Sequence, residues 1–162
     1  MVNLKILIIE EVIKRIKRGI TNNSVLNSIK SVKIGAFSEA RDSENLPVVN
    51  IFLKTVKENA STFKGRSSNQ IELLIRLICN KNINQDNTLF TKNNSNYSGP
   101  LIILDQLLNE IEKDENNDLD LSLGNKTFQN EGYDYEIIEE NDIIIFDISF
   151  FITSNEFTNG QR

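Results

Sequence analysis

A chain of 162 residues, 39% of them apolar, has enough material for one compact domain with its own core and too little for two. Its 18 Lys and Arg against 23 Asp and Glu leave a net charge of −5, which argues against a broad electropositive surface tracking duplex phosphates. The absence of histidine removes Ser/His/Asp and Cys/His nucleophiles and HExxH zinc sites, while Cys79, the only cysteine, rules out internal disulfides and Cys-based zinc clusters and fits a reducing compartment.

From Val2 to Ile20, Ile6, Ile9, Ile13, Ile16 and Ile20 recur at three and four, predicting an amphipathic helix. Lys14, Arg15, Lys17 and Arg18 crowd its last turns, where cations complement the negative end of the dipole, and Gly19 is placed to help end it. The basic cluster therefore reads as ordinary helix-end charge in preference to a phosphate or membrane patch. Residues 21–36 suit either a short helical turn or, from Ser31 to Phe37, an extended segment.

Ser38 to Asn45 reads as a loop. Pro47 then opens a run in which Val49, Ile51 and Leu53 alternate with Asn50 and Lys54, the pattern of a strand with one buried face. Lys57 to Ser68, with Gly65 near its middle, reads as a long polar connection to a second strand, Ile71 to Ile78, giving a hairpin with an extended tip. The outward face of that pair carries Phe52, Leu74 and Ile78 among Lys54, Glu72 and Arg76, so another surface is expected to cover it.

Asn80 to Asn96 reads as a polar loop, and Ser98, Gly99 and Pro100 as the start of a second amphipathic helix running through Leu101, Leu104, Leu107, Leu108 and Ile111 to about Lys113. About one residue in seven is Asn and about one in seven Ile, a skew of the kind an AT-rich genome imposes, so Asn93, Asn94 and Asn96 carry less functional meaning than their density suggests. Asp114, Asn116, Asp118 and Asp120 alternate like the start of a calcium loop, but Leu119 stands where glycine is needed and Asn125 where the closing Glu is needed, so the segment reads as a solvated loop.

Tyr133 to Ile138 and Ile143 to Thr153 form a second predicted hairpin around Glu139, Glu140, Asn141 and Asp142. Ile144, Phe146, Ile148, Phe150 and Ile152 share one face of the last strand, which would be an aggregation hazard at an open edge and is expected to be paired on both sides or covered. The polar residues 154–162 are expected to fray. No run approaches the roughly 20 apolar residues of a bilayer span, and no leader-like segment opens the chain, so a soluble, unprocessed protein with no membrane partner is expected. The order of elements describes a single α+β domain over 1–162: a small antiparallel or mixed sheet with two amphipathic helices packed on one face.

The acids lie in turns, no P-loop or GxGxxG occurs, and no constellation for catalysis or for a cofactor is present. Lys57, Lys64 and Arg66 with Phe63 would suit either a protein-contacting hairpin tip or a grip on single-stranded nucleic acid; the protein contact is the simpler reading.

Leu46-Pro47-Val48-Val49-Asn50-Ile51-Phe52-Leu53, the charged hairpin after it, the alternating strand Gln70 to Cys79, and Gly132-Tyr133-Asp134-Tyr135 followed by an acidic turn and the strand Ile144 to Thr153 together resemble the phage tail terminator family, the minor tail proteins of lambda-like tails. With the N-terminal helix, the likeness covers most of the chain in the right order. The Asn-rich loop and the polar C-terminal residues depart from it.

The resemblance implies a structural, non-enzymatic virion protein without cofactors. It would form a hexameric ring on the last ring of tail tube protein, stop tube growth and present a head-joining surface to a connector protein, with DNA only as passing cargo. Assembly would take place in the host cytoplasm. On this reading Phe52, Lys54, Leu74, Arg76 and Ile78 meet a neighbouring subunit, Lys57, Phe63, Lys64 and Arg66 meet a partner, and Glu139, Glu140 and Asp142 face the lumen. A different neck or tail-completion protein, and a nucleic-acid-binding accessory protein, are the competing expectations.

Overall fold

Every second residue from Ile71 to Cys79 and from Ile144 to Ile152 is apolar, and each of these is buried in one continuous core. The computed structural model describes residues 4–35, 45–61, 66–81, 87–112, 122–123 and 126–157. In chain order these form α1 (Leu4–Asn22), a short 3-10 turn (Leu26–Ser28), β1 (Ser31–Ile34), β2 (Val48–Ser61), β3 (Arg66–Asn80), β4 (Thr91–Asn93), β5 (Asn96–Ser98), α2 (Pro100–Glu112), β6 (Ser122–Leu123), β7 (Lys126–Glu139) and β8 (Ile143–Phe157). Six strands make a mixed sheet in the order β1-β2-β3-β8-β7-β6, with β1 parallel to β2 and the other pairs antiparallel. Core residues of both helices lie against one face, so the α+β architecture read from the pattern of elements holds. The apolar last strand is interior, between β3 and β7, as its hazard at an edge demanded.

The strands outrun the sequence pattern. Residues 57–68, read as a connection, are mostly ladder: Lys57 pairs with Gln70 and Ser61 with Arg66, and only 62–65 of the tip lie outside the described residues. Likewise β8 continues through Ser154 to Phe157, paired with both neighbours, so the expected frayed end does not begin at 154. These extensions are rich in polar residues, which is why apolar alternation does not mark them as strands. Ser31 to Ile34 resolves as extended, and the expected loop at 80–96 contains β4 and the start of β5, with Asn94 at φ 57 in their turn. Asn thus has a local structural use there, because it tolerates the left-handed region. The acidic segment Asp114–Asp120 lies outside the described residues.

The helix layer is fastened at one crossing. Gly19, expected to end the first helix, lies inside α1, buried where a side chain would meet Glu110 Cγ at 2.6 Å and Leu26 Cδ1 at 2.7 Å. Arg15 and Arg18, read as helix-end charge, instead cap the other helix. Arg15 Nη1 donates to the Ile111 carbonyl at 2.8 Å, and Arg18 donates to the Glu110 carbonyl at 3.3 Å and to its carboxylate at 2.6 Å. These bonds satisfy carbonyls that the last turn of α2 leaves without intrahelical partners. The apolar stripe of α1 is also rotated from the expected one: Ile8, Val12 and Ile16 are buried, whereas Ile6 is 51% exposed.

Gly19→Ala gains about 1 kcal/mol of helix propensity but overfills the crossing, at a cost of about 1–3 kcal/mol, so urea unfolding should show a net loss of stability. Cys79 gives a second check. Burial pushes its thiol from 9.0 up to about 12, so the folded chain keeps a proton that the unfolded chain releases in that window. The thiol's contribution is intact below pH 9 and falls as the pH rises toward 12. At pH 8 an aromatic disulfide reagent should label native protein only as fast as it unfolds.

Candidate interaction surface

The sheet face away from the helices is built by Val48, Asn50, Phe52, Thr55 and Lys57 on β2, by Gln70, Glu72, Leu74, Arg76 and Ile78 on β3, and by Ile145, Asp147, Ser149 and Phe151 on β8, as the register requires. At one end this face is closed by the chain itself. Leu46, joined to Pro47 by a cis peptide bond, packs with Val48, Ile78, Ile143, Ile145 and Ile138 in a second apolar cluster, and Ile78 is fully buried. Ile78 is therefore not an exposed residue awaiting a neighbour, as the alternation had suggested. Leu46, just before the strand, covers it.

Further along, charge partners replace apolar cover. Arg76 faces Asp147 across the β3–β8 pair, Nε donating to Oδ1 at 2.6 Å and Nη2 to Oδ2 at 2.9 Å, while its guanidinium sits 5.9 Å from the centre of the Phe52 ring. Lys54, the extra residue of a bulge in β2, reaches Glu72 at 2.9 Å, and that hydrogen bond and charge hold its ammonium above the ordinary lysine value. Ser149 donates to Glu72 from 3.4 Å. Phe52, Lys54, Leu74 and Arg76 are thus brought together as expected, with Phe52 and Leu74 directly opposite and half-buried, but on a surface largely satisfied within the chain.

Phe151 on this face is 38% exposed, and a second bare apolar stripe lies elsewhere. On the helix side of β7, Tyr133, Tyr135 and Ile137 are 37%, 42% and 44% exposed. Tyr133 still packs on Phe150, ring centres 5.3 Å apart; partial burial, with the carboxylate of Glu112, raises its phenol above the usual value. Asp134 and Glu136 point from the opposite face of the strand and are exposed. The sequence held a signal for this stripe, the alternation Tyr-Asp-Tyr-Glu-Ile, but not the fact that the strand lies at the margin of the sheet.

Of the expected partner-contacting tip, Lys57 is exposed on β2, Arg66 begins β3, and Phe63 and Lys64 lie outside the described residues. In the acidic turn Glu139, Glu140 and Asp142 are all exposed, and Glu139 accepts from Thr88 at 2.9 Å with Lys81 3.8 Å away. Among the described residues no group of acids and thiols comes together as a cation site, and no helix is long and apolar enough to cross a membrane.

A double-mutant cycle of Arg76→Ala with Asp147→Ala should give a coupling of about 1 kcal/mol in unfolding free energy, since the pair is bidentate but its arginine is partly wet. Additive effects would mean that the pair contributes nothing to holding β3 and β8 together.

No protein-family model and no curated protein matches the chain.

Proposed function

We propose that this chain is a structural phage protein, the tail terminator: it assembles as a hexameric ring at the head-proximal end of the tail, caps the last ring of tube protein and offers the joining surface to the head. The observation that carries this reading is the succession of elements. A helix, a strand led by Pro47, a long hairpin, a second helix and a Tyr-rich strand turning through acids into an interior apolar strand follow one another as the family resemblance implies.

The proportions of the sheet fit the same role. Strands of 14 and 15 residues extend about 45–50 Å, whereas helices of 19 and 13 residues extend about 28 and 20 Å, so the hairpins project past the layer that covers the core. Projecting strands rich in polar residues suit contact with an adjacent ring. Glu140 and Asp142, at a turn near the opposite end of the sheet, suit a lumen that DNA slides through without adhering.

Electron microscopy of tails assembled without this chain tests the proposal. Tubes of uncontrolled, excessive length are expected, and adding the purified chain to tube protein should produce six-fold caps. Tubes of normal length that fail to join heads would instead make it a completion protein.

A further inference from the structure

Both margins of the sheet are short of partners. Among the described residues, β1 pairs with β2 only from Val48 to Ile51, and β6 pairs with β7 only at Lys126 and Thr127. Among the described residues, β2 from Phe52 and β7 from Phe128 through Glu139 pair with a neighbouring strand on one side alone, and β1 pairs only with β2. Backbone donors and acceptors on the open side of such strands are a template for another strand.

The two margins match in face and in sign. On the helix side, the β1–β2 margin presents Ile34 and Leu53, 49% and 39% exposed, and the β7 margin presents Tyr133, Tyr135 and Ile137. On the other side, the β1–β2 margin carries the exposed Lys33 and Lys57, Lys54 at the bulge being held by Glu72, and the β7 margin carries the exposed Asp134 and Glu136. Each margin therefore has an apolar side and a charged side, the charged sides opposite in sign.

Strand direction matches too. From β2 through β3 and β8 to β7 each pair is antiparallel, so β7 runs opposite to β2 and, since β1 is parallel to β2, opposite to β1 as well. A second copy placed beside β7 in the same orientation then presents an antiparallel strand. Its aromatic and aliphatic side chains meet on one face and its lysines meet carboxylates on the other.

We propose that the β7 margin of one copy pairs with the β1–β2 margin of the next, continuing the sheet from subunit to subunit in a head-to-tail array. In supposing that copies of this chain associate at all, the proposal rests on the ring reading above; the surfaces it names are its own. Like margins repel, so lysine meets lysine or carboxylate meets carboxylate in any two-fold pairing.

Cysteine trapping on the full chain tests this, with native Cys79 buried and out of reach. Leu53→Cys or Ile34→Cys, combined in turn with Tyr133→Cys, Tyr135→Cys or Ile137→Cys, scans the register. At least one combination should oxidise to a ladder extending past the dimer, while each single variant stays monomeric. Dimers from a single variant would show two-fold pairing, and no ladder in any combination would remove the proposed junction; either result overturns it.

Charge exchange checks the same junction without new bonds. K33E with K57E in one chain, and D134K with E136K in another, should each lower self-association at least tenfold, and mixing the two should restore it. Unchanged association of the separate variants, or no recovery on mixing, would count against the pairing. Circular dichroism of these exposed-site variants verifies folding. A ladder that forms while tube length proves independent of the chain would defeat the tail reading and leave the junction standing.

Discussion

The whole arrangement depends on a mismatch of lengths across one core. Two helices, fixed to each other where Arg15 and Arg18 of α1 reach the last carbonyls of α2 over Gly19, can shelter only part of a sheet whose hairpin strands are far longer. Where the helices lie, the inner face is apolar at every second position and fully buried, from Cys79 and Ile144 to Ile71 and Ile152. Past that boundary the strict apolar alternation ends, and two bulges, at Lys54 and between Asn130 and Gly132, mark the change in the two outer long strands. Bulges bend and twist a strand locally, so the projecting part of each hairpin can be aimed separately from the part held down by the core.

How much of this could be read from the chain follows from the physics of each element. Strands with a buried face announce themselves by alternation, so the core halves of β2, β3 and β8 and the interior place of β8 were legible. The polar halves were not, because their ladder is held by backbone bonds that leave no mark on side-chain pattern. Arg15 and Arg18 illustrate a second limit. Four cations at the end of a helix look like complements to that helix's own dipole, yet two of them serve the terminus of a helix more than 90 residues away in the chain, where Glu110 pairs with Arg18 and Glu11 with Arg15. Local charge pattern is silent on which helix end a long side chain will reach.

The face opposite the helices carries a third lesson. Phe52, Leu74 and Ile78 looked like a greasy patch because periodicity sorts residues by face without saying what crosses that face. Leu46 closes over one end, and the Arg76–Asp147 and Lys54–Glu72 pairs occupy the middle, leaving Phe52 under a guanidinium and Leu74 half-covered. A surface so well paired within the chain has less to gain from a neighbour, since docking there would have to desolvate ion pairs already made. The expectation that copies meet through this face therefore weakens, while the margins of the sheet gain.

The proposed pairing of those margins would also let the chain carry exposed strands without indiscriminate aggregation. A strand edge with mixed charge would accept many partners, its own like edge included. Lysines gathered on one margin and carboxylates on the other make each margin repel its own kind and attract only its complement, so specificity comes from the unfavourable pairings as much as from the favourable one. Because β7 runs opposite to both β1 and β2, every junction with a like-oriented copy is antiparallel, however many copies are added. Whether such an array closes or runs on is then set by the angle accumulated at each junction, which the twist of the sheet and the two bulges determine. A closed array has no free margin left, and that is the state in which the exposed Tyr133, Tyr135 and Ile137 would cease to be a hazard.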